Sequence, residues 1–311
     1  MKKIFSIFLL LHVVVANAQQ FNNEWIDYTK TYYKFKVGVT GLYRINQSAL
    51  PTDIAATPAQ NFQLWRNGKQ VPIYTSTTNG SLPVNGYIEF WGEQNDGAPD
   101  KVLYRDPSYQ LSDRISLETD TAAYFLTVNT TSQNLRIVEA ANNAATNTLP
   151  AETNFLYTKR VDFKEQILKG YGLDFSTRIT SSSYDIGEIW GSRDVLITSP
   201  LTIPLNNLYP ASVAGNASIN IALSGVSYYN RNIICNFNST SIINNLLLQG
   251  QDSKVVSSSV AINSINTSSN NLIVRIDTIV GLLNNPANRI SISYVELTYP
   301  RLFNFDNQKN F

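Results

Sequence analysis

The sequence predicts an all-β protein: a small N-terminal β-domain followed by a jelly-roll-like β-sandwich. Two observations carry this. Short apolar runs alternate with polar residues, as Tyr33, Phe35, Val37 and Val39 do against Lys34, Lys36 and Gly38. That period of two belongs to a strand with one buried face. Second, Asn, Ser and Gly punctuate these runs, while charged residues make up only 15% of the 311 positions against 43% hydrophobic. Charge at that level is well below the usual quarter. Asn is the compensating polar residue, with 35 in all and 20 of them after residue 200.

The N-terminus reads as an export signal over residues 1–18. Lys2 and Lys3 precede an almost wholly apolar run from Ile4 to Val15, and Ala16-Asn17-Ala18 has the small-x-small cleavage pattern before Gln19. A dozen apolar residues are too few to span a bilayer. No later run is long enough either, so no transmembrane segment is expected. The mature chain is then expected in the periplasm, on the outer-membrane surface or outside the cell.

Two domains are expected, at 19–150 and 151–311. The stretch from Glu139 to Pro150 lacks aromatics and ends in Pro, which reads as a linker. In the first domain, Gly41 ends the run from Tyr33, and Leu42-Tyr-Arg-Ile45 resumes it. Gln47 to Ala56 has room for one short helical turn. Phe62–Arg66 and Lys69–Tyr74 flank Asn67-Gly68, whose residues supply the positive φ angles of a two-residue hairpin turn. Pro72 cannot donate to a ladder, so the second arm should be an edge or a bulge. Gly86–Trp91 and Ala122–Val128 complete the domain. In the second, strands are expected at 194–198, 217–226, 232–237, 253–262, 271–278 and 289–299. The last should place Ile290, Ile292, Tyr294 and Glu296 on one face, with Ser291, Ser293, Val295 and Leu297 on the other.

Composition excludes several functions. The single His is His12, inside the export signal, so a cleaved chain has no Ser-His, Cys-His or His-ligated metal chemistry. A net charge of +1 lacks the basic face of a nucleic-acid binder. The single Cys, Cys235, forms no disulfide within the chain, and its strand-like surroundings with only Arg231 nearby mark a small buried hydrophobe. Glu93, Asp96, Asp100 and Asp106 could suggest calcium. However, with Gly97 as the turn glycine, position one of a calcium loop falls on Gly92, so a solvated turn is expected. Asp120-Thr-Ala122 and Asp277-Thr-Ile279 have the shape of a bacterial O-glycosylation acceptor, and Asn46 and Asn79 begin Asn-x-Ser/Thr sites. Trp25, Trp65, Trp91 and Trp190 could stack on sugars, but packing is the expected role of each. No residue is nominated as catalytic, cofactor-binding or metal-ligating, and no cofactor is expected.

An ordered series of segments resembles one family. It runs through Trp25-Ile-Asp-Tyr28, Tyr32-Tyr-Lys-Phe-Lys36, Gly41-Leu-Tyr-Arg-Ile45 and Phe62-Gln-Leu-Trp65 with Asn67-Gly68. It continues through Tyr87-Ile-Glu-Phe90, Asn95-Asp-Gly97 with Asp100, Leu103-Tyr104, Asp120–Thr127 and finally Tyr299-Pro-Arg301. The order is similar to the N-terminal, non-catalytic part of the gingipain-like cysteine peptidases that act as sortases of type IX secretion, the PorU-type proteins. The resemblance implies β-domains that precede a caspase-like peptidase domain carrying a catalytic Cys-His pair. That peptidase removes C-terminal sorting signals from cargo and can attach the cargo to a surface anchor. It also implies as partners an outer-membrane type IX component, secreted cargo and the C-terminal peptidase domain. No position here matches the catalytic pair, so the chain is expected to be inactive alone and to be a truncated piece of a longer protein. The alternative expectation is a free-standing secreted module that binds a glycan or a protein partner.

Overall fold

The computed structural model describes residues 23–131, 134–141, 149–170, 173–174, 178–179, 182–277 and 288–307. The expected export signal and most of the expected linker lie outside them. Strands take 47% of the described residues and helix 7%, an all-β architecture. No helix among the described residues is long and apolar enough to cross a membrane. The chain forms two compact units, Met1–Asn95 with Thr119–Asn142, and Asp96–Glu118 with Asn143–Phe311. This division differs from a single cut at 150, because the segment from Asp96 to Glu118 packs with the second unit.

The first unit contains β1 (Tyr33–Val37), β2 (Gly41–Asn46), β3 (Phe62–Arg66), β4 (Lys69–Val71), β5 (Tyr74–Thr75), β6 (Tyr87–Gly92) and β7 (Ala122–Val128). They form an antiparallel sheet in the order β1-β7-β3-β4 and a second in the order β2-β6-β5. Their inner faces share a core that includes Val37, Phe62, Leu64, Ile88, Phe90, Tyr124 and Leu126. The Asn67-Gly68 hairpin forms as expected, with φ of 47° and 73°. Its second arm does not run to Tyr74. Pro72 ends β4, and Tyr74–Thr75 pairs with β6 in the other sheet, so the missing N–H marks a corner between sheets. Gln47–Ala49 is a single 3-10 turn.

The second unit is a sandwich. Its main strands are β8 (Asn154–Asp162), β13 (Val195–Leu196), β14 (Leu201–Asn206), β15 (Asn216–Gly225), β16 (Arg231–Phe237), β17 (Thr240–Leu248), β18 (Ser253–Ala261), β19 (Ser269–Asp277) and β20 (Arg289–Leu302). The short strands β9 (Gln166–Ile167) and β12 (Trp190–Gly191) pair with each other, as do β10 (Leu173–Asp174) and β11 (Arg178–Ile179). One sheet runs β13-β20-β15-β18, with β8 also on β20, and the other runs β14-β19-β16-β17. From β13 to β20 the chain changes sheet at every step except the β16–β17 hairpin, which is jelly-roll connectivity. The core between the sheets includes Ile203, Leu205, Ile219, Ile221, Phe237, Leu272, Val274 and Val295.

The strand at 289–302 departs from simple alternation. Ala222 lies opposite Tyr294, but Leu223 lies opposite Ile292. Ser293 is therefore an extra residue, a β-bulge that reverses which side chains face inward. Ile290 and Ile292 enter the core, and after the bulge Val295, Leu297 and Tyr299 do so, all fully buried. Tyr294 and Glu296 turn to the opposite face of the sheet. There Arg160 of β8 donates to Glu296 at 2.7 Å, to Asp162 at 2.8 Å and to Ser112 Oγ at 2.8 Å. Its guanidinium lies 3.7 Å from the Tyr294 ring centre. Ser112 belongs to the segment 96–118, which this node holds against the sandwich.

Candidate functional site

The first unit carries an open cleft of about 480 Å³, lined by residues of the Asn67-Gly68 hairpin, β4 with Pro72, the end of β6, Tyr124 and Ile137. Strand period sets its most exposed wall. In β6, Ile88 and Phe90 are fully buried, so Tyr87, Glu89 and Trp91 turn outward. Trp91 is 52% exposed. Gly92 follows because a Cβ there would stand 2.6 Å from the Tyr43 ring.

Arg66, the last residue of β3, organises the base. Its Nη1 donates to Glu93 Oε2 at 2.6 Å and its Nη2 to the Gln94 carbonyl at 2.9 Å. The Tyr124 hydroxyl accepts from the Glu93 N–H at 2.8 Å. Arg66 Nε and Gln70 Nε2 are buried with no partner among the described residues. Beside the cleft, Arg44 lies over the Tyr87 ring at 3.8 Å and pairs with Glu89 at 2.7 Å. The cleft thus combines one open indole face, short apolar walls and several amide, ammonium and carboxylate groups. This is the composition of a binding site that orients a ligand by a few polar contacts. Its one carboxylate, Glu93, is held in an ion pair.

The other residues singled out in the sequence are dispersed. Cys235 is fully buried in the sandwich core, and burial pushes its thiol up to about 12, where little thiolate forms. Arg231 is also fully buried. Its Nη2 donates to the Ser227 carbonyl at 2.7 Å and to the Tyr229 carbonyl, while Nε and Nη1 have no partner among the described residues. Burial holds this guanidinium down at about 10.

The acidic stretch does not converge. Asp96 accepts from the Ala98 N–H and Asp106 from the Ser108 N–H. Asp100 is buried, not solvated as expected, because it accepts from Ser116 Oγ at 3.0 Å and the Leu117 N–H at 2.7 Å. Among the described residues no three His, Cys, Asp or Glu side chains gather as a metal site. Thr121 is half-buried just before β7, and Asn46 and Asn79 are exposed. Asp277 pairs with Arg275 at 3.1 Å, and Thr278 and Ile279 lie outside the described residues.

Three of the four tryptophans pack as expected. Trp25 and Trp65 stack on each other, and Trp190 donates to the Ser116 carbonyl at 3.0 Å. Trp91 does not, because its position on β6 faces outward. Trp91, Asn67-Gly68 and Pro72 stand out singly in the sequence, and the fold joins them in one cleft. Arg66, Gln70 and Tyr124 come from three strands, and the available signal was the alternation of Ile88 and Phe90 with Glu89 and Trp91.

No family model and no curated protein matches the chain. Among solved structures, dimeric latent PorU from Porphyromonas gingivalis is similar over 89% of this chain and 25% of its own, with a TM-score of 0.53 and 9% identity. The chain therefore spans about a quarter of the length of that protein, and at this identity the likeness is one of fold. The CBM35 from Cellvibrio japonicus Abf62 matches 48% of this chain and 99% of its own at 12% identity and a TM-score of 0.26. A β-porphyranase of glycoside hydrolase family 86 from Bacteroides plebeius matches 88% of this chain and 37% of its own at 10% identity and a TM-score of 0.27. These last two scores are too low to bear on fold or function.

Proposed function

We propose that this chain forms the accessory, non-catalytic β-region of a gingipain-like cysteine peptidase, a sortase of type IX secretion exported by its N-terminal signal. The observation that carries the reading is the fold likeness to PorU over 89% of the chain, together with the ordered motifs from Trp25 to Arg301. Those motif residues have evident structural tasks. Tyr299 donates to the Leu208 carbonyl, and Arg301 Nη1 donates to the Asn207 carbonyl at 2.8 Å, so Tyr-Pro-Arg fastens the end of β20 to the loop after β14. In this reading the two units dock the peptidase to an outer-membrane component or to cargo, whose C-terminal sorting signals the family processes.

Binding of cargo by the immobilised chain tests the docking role. A cargo protein with its C-terminal sorting domain should be retained, and the same cargo without that domain should not. If neither cargo is retained, and no outer-membrane protein is captured from the host envelope, the proposal fails.

A further inference from the structure

Burying a large aromatic ring stabilises a fold by about 2–3 kcal/mol, yet β6 turns Trp91 outward with 52% of it exposed. The exposed indole shares its cleft with Pro72, Asn67, Lys69, Gln70 and Glu93. An indole face with Pro72 beside it makes an apolar platform. Around it stand both donors, on Lys69 and Asn67, and acceptors, on Asn67 and Glu93.

We propose that this cleft binds a hydroxyl-rich glycan, with one pyranose ring stacked on Trp91 and its hydroxyls bonded to the surrounding amides and charges. A pyranose has an apolar C–H face and a rim of hydroxyls that each donate and accept, which is the pattern the cleft presents. Charge does not select the ligand, because Arg66 is already paired with Glu93 at 2.6 Å and Lys69 is the remaining ion of the lining. A polyanion or acidic peptide would call for several unpaired cations. Strand addition by an extended peptide is also poorly served. The edge strand β4 is three residues long and stops at Pro72, which has no N–H to donate. The proposal stands on the cleft alone and does not depend on the peptidase reading.

The test uses the whole purified chain. It is titrated calorimetrically with maltohexaose, cellohexaose, laminarihexaose, mannohexaose and xylohexaose at up to millimolar concentration, and in parallel with an acidic and a basic peptide. At least one oligosaccharide should bind. Trp91→Ala should weaken that binding by about ten-fold or more, as loss of an aromatic anchor does, and Trp91→Phe should retain part of it. In NMR spectra the side-chain amides of Asn67 and Gln70 should shift on binding. This keeps the proposal open to refutation even if Trp91→Ala folds poorly. Absence of binding to every oligosaccharide, binding undiminished in Trp91→Ala with both amides unmoved, or binding of a peptide alone would overturn it.

Discussion

The indole of Trp25 is stacked on that of Trp65, with ring centroids 5.3 Å apart and planes 29° from parallel. Phe125 and Tyr32 close around Trp25 at 5.4 and 5.5 Å. Trp65 and Phe125 lie opposite each other in the register of β3 and β7, on the face turned away from Leu64 and Leu126. The residues before β1 are thereby strapped over the outer face of the four-stranded sheet. A Cβ on Gly68 would stand 3.2 Å from the Trp25 ring, so the strap also leans on the hairpin turn.

Trp25→Ala should lower stability by about 1–3 kcal/mol, the cost of losing part of a half-buried aromatic cluster. Urea unfolding measures it. Trp25→Phe and Trp65→Phe should each abolish the circular-dichroism couplet of the two stacked indoles. An unchanged couplet would contradict the stacking.

Arg160 makes three hydrogen bonds and one ring contact, and its side chain is 9% exposed. Arg160→Leu would leave Glu296 without its partner, at a cost of about 3 kcal/mol. Arg160→Lys should recover little, because an ammonium cannot present the same planar fork of donors. Limited proteolysis should then cut first within residues 96–118, freed at Ser112. First cleavage elsewhere would show that the node does not hold that segment.

Arg231 has no carboxylate partner among the described residues, and burial lowers its folded value to about 10 from 12.5. Between those values the unfolded chain binds more protons than the folded one, so this group's contribution to stability rises with pH. Below about 10 the guanidinium is charged in both states and its buried charge is a standing cost. Arg231→Met should therefore match or exceed the native stability at pH 7. That relative advantage should shrink as pH rises past about 10. Denaturant midpoints of both proteins across alkaline pH check this. An advantage that grows with pH would contradict it.

Local patterns carried much of the fold. Asn67-Gly68 specified its hairpin, and alternation located β1, β15, β16, β18 and β19. Other features are not legible in the pattern, β8 and β14 among them, and two depend on distant partners. The face assignment of β20 failed at Ser293, since a bulge follows from pairing with β15 and leaves no mark in a period-two reading. In β17, Asn244 and Asn245 break the apolar run, and Asn245 adopts a φ of 54° within the strand. Asp100 read as solvated because its partners, Ser116 and Leu117, lie sixteen and seventeen residues away. The cleft shares this difficulty. Trp91 and the hairpin turn were visible singly, but only the pairing of β3 with β7 and the corner at Pro72 bring Arg66, Gln70 and Tyr124 beside them.

The accessory role in type IX secretion is tested most directly on cargo in the host. The coding region of this chain is deleted in frame, and the C-termini of secreted cargo are measured by mass spectrometry. Cargo should then keep its C-terminal sorting signal and be processed again when the region is returned. Cargo trimmed as in the unmodified host would contradict it.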